Sequence, residues 1–275
     1  RADWIVGINA TRLFSCLYGT TLNTGRVMSP TLAMAVEREA TISAFQPESF
    51  YQVQLDFDGF SVSGERMKTR EEAENLEATC RREGSASIGK IVQVEKMEKP
   101  PALYDLTTLQ REANRVLGYT AQQTLDYVQA LYEKKLVTYP RTDSRYLTED
   151  MAGMLSELAA VTVAICFPEA GSVSVNAEQV VNSKRVTDHH AIIPTKEVQN
   201  GTLSELPKGE LEILRLIAKR LLSAVSAPCR YAETTAEIFC GGTAFKAKGK
   251  TVLSAGWKEI EEKCGSKKKK DKANI

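Results

Sequence analysis

Tyr231-Ala-Glu-Thr-Thr-Ala-Glu-Ile-Phe239 is followed by Gly241-Gly242 and then by Thr243 to Lys248 and Lys250 to Ser254; these segments read as strands joined by Gly-Gly and Lys-Gly turns. Just upstream the period is different. From about Lys208 to Val225, Leu211, Leu214, Ile217, Leu221 and Leu222 recur at helical spacing, the longest such pattern in the chain. Much earlier, Ile88 to about Met97 alternates apolar with polar, and Pro100-Pro101 closes that β-rich section because neither proline can continue a ladder. The chain therefore leaves a β domain, builds a helical insertion and returns. This is an α+β fold with a helical domain inserted between the strands of a β-rich domain.

The remaining segments fill in this outline. Trp4, Ile5, Ile8, Leu13 and Leu17 give one apolar side to a helix from Asp3 to about Tyr18. After an Asn-Thr-Gly-Arg turn, Ser29 is suited to cap a second helix with Pro30 in its first position. Phe50 to Phe57 alternates, with Tyr51, Val53, Leu55 and Phe57 on one face, and a charged helix is expected near Thr69 to Arg82. Thr107 or Thr108 is expected to cap a helix ending before Gly118, and Thr120 with Gln123 has the spacing of a capping box. Leu125, Val128, Leu131 and Tyr132 then form a helical stripe, Leu136 to Tyr139 is a short extended piece, and Thr148 can cap a further helix.

Composition narrows the function classes. With 275 residues and 43% hydrophobic content, the chain can build one large core or two ordinary ones. Its 36 Lys plus Arg against 35 Asp plus Glu leave a net charge of +1, so contact with a polyanion must come from local placement of cations. Cys16, Cys80, Cys166, Cys229, Cys240 and Cys264 form no Cys-x-x-Cys pair, which argues against zinc and for reduced thiols. No apolar run reaches the roughly 20 residues of a membrane span, and no signal-peptide layout opens the chain. It begins without Met, inside a helical pattern, as expected of a piece of something longer. Lys267 to Lys270 are expected to be a solvated, disordered charge run.

Three stretches concentrate chemistry. Leu136-Val-Thr-Tyr-Pro-Arg-Thr-Asp-Ser-Arg-Tyr-Leu147 packs a phenol, a guanidinium, hydroxyls and a carboxylate around Pro140, which fixes the backbone beside Tyr139. On an extended backbone Tyr139 and Arg141 point to the same side, so a phosphodiester attacked by the phenol could have its oxygens held by the guanidinium. Read alone, a buried tyrosine beside a surface arginine fits equally. Asp188-His-His-Ala-Ile-Ile-Pro-Thr195 holds both histidines, and His189 is the first candidate for a general acid; the alternative is a polar loop cap. Asn23 to Thr31 sets Arg26 in a glycine-containing turn before a helix N-terminus, a setting suited to phosphate, although a plain helix-entry turn has the same pattern.

Taken together, LVTYPRTDSRYL (136–147), NTGRVMSPTL (23–32) and DHHAIIPT (188–195) resemble the type IA DNA topoisomerases, and the topoisomerase III branch more than bacterial topoisomerase I. The opening RADWIVGINATR and the run PALYDLTTLQREANRVLGYTAQQTLDYVQALYE (101–133) resemble the same family. The resemblance implies a fragment of a toroid. Its parts would be the start of the DNA-groove domain (1–45), the two halves of a β-rich arch (46–100 and 229–262), a helical domain bearing the catalytic tyrosine (101–228) and a basic tail (263–275). It further implies that Tyr139 is the nucleophile forming a 5′-phosphotyrosine, that Arg141 is the cation beside the cleaved phosphate, and that His189 is the active-site histidine. Asp3, Arg26, Thr142, Asp143, Ser144 and His190 would meet or position single-stranded DNA. Magnesium would be bound by a Toprim domain, which nothing in this sequence resembles, and no metal ligand is expected here. The resemblance implies a monomeric fragment of a bacterial cytoplasmic enzyme with no membrane partner.

Overall fold

The computed structural model describes residues 2–201 and 203–264. The expected basic tail lies outside the described residues from 265 onward; Lys263 belongs to a helix. The chain forms two compact units. One holds the residues up to Gln52 together with Arg66–Asn75, and the other holds Val53–Glu65 and the chain from Leu76 onward.

In the first unit, α1 (Ala2–Tyr18) and α2 (Met28–Ser43) bury no residue. The expected apolar side of α1 is open to solvent, with Trp4 70% exposed. The connection between the helices is tied back by Thr24, whose N–H donates to Thr11 Oγ1 at 2.9 Å. α2 starts one residue before the expected Ser29 cap. Ser29 Oγ instead accepts from the Gly25 N–H at 3.1 Å, which closes the turn rather than the helix end.

In the second unit, β1 (Gln54–Phe57) and β2 (Phe60–Ser63) form an antiparallel hairpin. α3 (Arg70–Glu83), whose residues up to Asn75 are counted in the first unit, precedes β3 (Ser87–Glu98), and Cys80 in its second half is buried. β3 pairs along its length with β4 (Cys229–Cys240), from Ser87 opposite Phe239 to Glu98 opposite Cys229. Two neighbouring strands are thus separated in sequence by the whole helical segment, which is the inserted architecture.

β4 turns at Gly241-Gly242, both with positive φ (58° and 73°) as a two-residue hairpin turn requires, into β5 (Thr243–Ser254). The expected second turn at Lys248-Gly249 is absent. Gly249 pairs with Thr234 in a ladder that is regular from Tyr231 opposite Val252 to Cys240 opposite Thr243, so the two short strands are one. A long partner strand supplies a template that overrides a local turn signal.

The inserted helices are α4 (Leu106–Leu117), α5 (Ala121–Glu133), α6 (Leu155–Cys166) and α7 (Lys208–Val225). α4 is capped by Asp105, whose carboxylate accepts from the Thr108 N–H at 2.6 Å, not by a threonine. A carboxylate beside the positive helix end supplies charge as well as an acceptor. Gly118 ends α4 in the left-handed conformation, and the Thr120–Gln123 capping box opens α5. Thr148 makes no cap bond; a 3-10 turn over Glu149–Met154 precedes α6.

α7 is the axis of the domain. Ile213, Leu214, Ile217, Leu221 and Leu222 are all at most 1% exposed, and each contributes about 1.5–3 kcal/mol of burial. After the return through the sheet, α8 (Trp257–Lys263) docks Ile260 onto Ala218 and Leu222 of α7.

Candidate active site

The segment carrying Tyr139 is built by a sharp exit from α5. Lys135 has φ 62°, the one positive value at a non-glycine among the described residues, and the Leu136 N–H donates back to the Leu131 carbonyl at 2.9 Å. The chain then runs beside the histidine segment. The Thr138 N–H donates to the Ile193 carbonyl at 3.0 Å, and the Thr195 N–H to the Leu136 carbonyl at 3.0 Å. Thr138 Oγ1 donates to the Ala191 carbonyl at 3.1 Å and accepts from the Ile193 N–H at 3.0 Å. Beyond Tyr139, Thr142 Oγ1 donates to the His189 carbonyl at 2.8 Å, and Ser144 Oγ to the Arg185 carbonyl at 2.9 Å. Backbone and hydroxyls therefore zip 136–147 to 185–195.

Side chains along this zipper alternate. Pro140, Thr142 and Ser144 are buried, Arg141 and Asp143 are exposed, and Tyr139 is half-buried. Pleat periodicity thus gives Tyr139 and Arg141 an outward sense and Thr142 and Ser144 an inward one. The Tyr139 ring lies against that of exposed His189, centroids 4.3 Å apart and tilted by 46°. Its other aromatic neighbour is Tyr132 of α5, edge-on at 5.4 Å.

The other expected residues fall into distinct settings. The hydroxyls of Thr142 and Ser144 are spent inside the protein, so they shape the loop rather than offer themselves to a strand. Asp143 accepts from Thr187 Oγ1 at 2.8 Å and stays at the surface. His190 is half-buried, its Nδ1 donating to the Ala191 carbonyl at 2.8 Å. Asp3 and Arg26 lie in the first unit, paired at 3.0 Å and both largely exposed. Two residues beyond the sequence-based expectation enter the site: Thr138, signalled only by its place before the tyrosine, and Tyr132, expected as part of a helical stripe. Among the described residues no group of three or more His, Cys, Asp or Glu is placed to hold a metal ion. No described helix is long and apolar enough to cross a membrane.

Half-buried Tyr139, the His189 ring against it and exposed Arg141 thus all lie on the helical segment inserted between β3 and β4. The chain belongs to the DNA topoisomerase family, whose model matches residues 1–275. Within that family it is of the type IA, topoisomerase III kind. It is 41% identical over 274 residues to DNA topoisomerase 3 of Bacillus subtilis (strain 168), covering 94% of this chain and 37% of that protein. It is 42% identical over 275 residues to DNA topoisomerase 3 of Bacillus licheniformis, with the same coverage. The chain thus spans little more than a third of these relatives. Its fold matches full-length topoisomerase I from Thermotoga maritima with a TM-score of 0.73 at 24% identity, over 97% of this chain and 44% of the other.

Proposed function

We propose that this chain is the nucleophile-bearing part of a longer type IA topoisomerase that cleaves one DNA strand, passes another through the break and reseals it. The observation that carries the reading is the contact of the half-buried Tyr139 ring with His189. The Tyr139 phenolic oxygen forms a bond to phosphorus and gives up its proton to solvent. The bond from phosphorus to the 3′ oxygen breaks, and His189 protonates that leaving oxygen. Arg141 offsets the charge gathering on the non-bridging oxygens.

Resealing reverses these steps, with the freed 3′ hydroxyl attacking the phosphotyrosine. The phosphodiester energy is kept in the tyrosyl link, so no nucleotide triphosphate is needed. Thr142 and Ser144 position the tyrosine loop, while Asp3, Arg26, Asp143 and His190 serve the strand. A single strand suits the site because it needs no melting before it enters a groove. Magnesium, which neutralises phosphate charge when bound, belongs to a Toprim domain outside this chain. The helical domain (101–228) is then the gate, and the strands on either side are the arch.

The test uses a 3′-labelled single-stranded oligonucleotide incubated with the longer polypeptide and magnesium, then denatured. Label should stay on the protein, vanish with Tyr139→Phe, and be absent when the present chain is used alone. Label retained by Tyr139→Phe would assign the nucleophile elsewhere.

A further inference from the structure

α5 directs Val128 and Leu131 into the core at 0% exposure, yet the next residue, Tyr132, keeps 38% of its surface open and sets its ring against Tyr139. The two rings meet at 78° with centroids 5.4 Å apart, the edge-to-face geometry in which a positive ring edge meets a negative face. Tyr132 sits on a fixed base. The capping box holds the start of α5, and Lys134 Nζ, just past its end, pairs with buried Glu210 at 2.6 Å.

The nucleophile's own surroundings are fixed differently. Thr138 and Thr142 pin the backbone on both sides of Tyr139, but hydrogen bonds to a backbone do not choose a side-chain rotamer. A phenol that must arrive in line with a phosphate needs its ring held as well, since small misplacements of a reacting atom are costly. Among the described residues, Tyr132 and His189 are the two rings that touch Tyr139. Only His189 has a chemical task in the proposed reaction.

We propose that Tyr132 is a positioning residue, whose ring, set edge-to-face with that of Tyr139, holds the Tyr139 ring in the rotamer from which the phenol reaches phosphorus. This rests on Tyr139 being the nucleophile. The ring is what matters, so Tyr132→Phe should behave as the unaltered protein.

In the longer polypeptide, single-turnover adduct formation at saturating oligonucleotide should slow about three- to tenfold in Tyr132→Leu and Tyr132→Met. Affinity for the oligonucleotide should not change. In the present chain, NMR of ring-labelled tyrosine should show the Tyr139 signal moved in both aliphatic variants and unmoved in Tyr132→Phe, a readout independent of activity. An unaltered protein that forms no Tyr139 adduct would defeat the functional reading itself. With that adduct intact, an undiminished rate in the aliphatic variants, a Tyr132→Phe variant as slow as they are, or a loss confined to affinity would each overturn the positioning role alone.

Discussion

Thr142 donates its hydroxyl hydrogen to the main-chain carbonyl of His189 at 2.8 Å while accepting from the Ser144 N–H at 3.1 Å. One buried side chain therefore fixes the loop after the tyrosine and the backbone of the histidine together. Thr142→Val keeps the shape but orphans both partners, and an unpaired buried polar group costs about 1–3 kcal/mol. Urea unfolding of the chain should show a loss of that size for Thr142→Val and much less for Thr142→Ser. Equal midpoints for all three proteins would mean that the bond contributes nothing.

Arg141 stands exposed on the outward side of the pleat. If it meets charge that develops only during cleavage, Arg141→Ala should slow adduct formation by about 100- to 1000-fold, the usual effect of removing one such donor. Arg141→Lys should recover part of this, because an ammonium supplies charge but not the guanidinium fork. The stability of the chain should be unchanged. A rate loss explained by weaker oligonucleotide binding alone would make Arg141 a docking contact.

Alkaline pH should unfold the chain earlier than its lysines alone would require. Burial pushes the Tyr104 phenol up to about 12, against the pull of the Arg220 guanidinium that donates to it at 3.0 Å. Burial likewise pushes the Cys166 thiol up to about 11. Unfolded, these groups ionise near 10.0 and 9.0, so above pH 9 the unfolded chain sheds protons that the folded chain retains. The stability they contribute is complete below pH 9 and is lost as pH rises towards 12, by at most about 2–3 kcal/mol per group. Urea midpoints at pH 8 and pH 11 should differ less in a Cys166→Ala, Tyr104→Phe double variant. An identical drop in both proteins would acquit these residues.

The elements read best from sequence were those whose signals are local. The Thr120–Gln123 box, Gly118 and the stripe of α7 each act within a few residues, and each formed. The Lys248-Gly249 turn failed because a distant partner decided: Gly249 lies in a strand because Thr234 faces it. The cap of α4 is local, but it falls to the carboxylate of Asp105 rather than to either of the two threonines that follow closely. The candidate site divides in the same way. A phenol and a guanidinium two positions apart can be seen in a string of letters, but the ring contact of Tyr139 with His189 and the hold of Thr138 on Ala191 and Ile193 come from the tertiary fold. The same holds for Tyr132, where helical periodicity gave the correct element and missed that its ring ends at Tyr139.

Two glycines of similar backbone sign should respond very differently to alanine. Gly118 closes α4 at φ 76° with nothing within 4 Å of an added Cβ, so Gly118→Ala should cost only the left-handed strain, about 1–2 kcal/mol. Gly256 has φ 53° and ψ −132°, and a Cβ there would lie 2.4 Å from the carbonyl oxygens of both Ala227 and Pro228. Backbone cannot swing aside as a side-chain tip can. The Trp257 N–H also donates to the Ala227 carbonyl at 2.8 Å, so relief would break the bond that starts α8. Gly256→Ala should therefore cost more than about 3 kcal/mol and free α8 from α7. Hydrogen exchange should show lost protection around Ile260 in this variant and not in Gly118→Ala. Equal destabilisation by the two substitutions would mean that left-handed strain, rather than the crowded junction where the chain leaves the sheet, sets the cost.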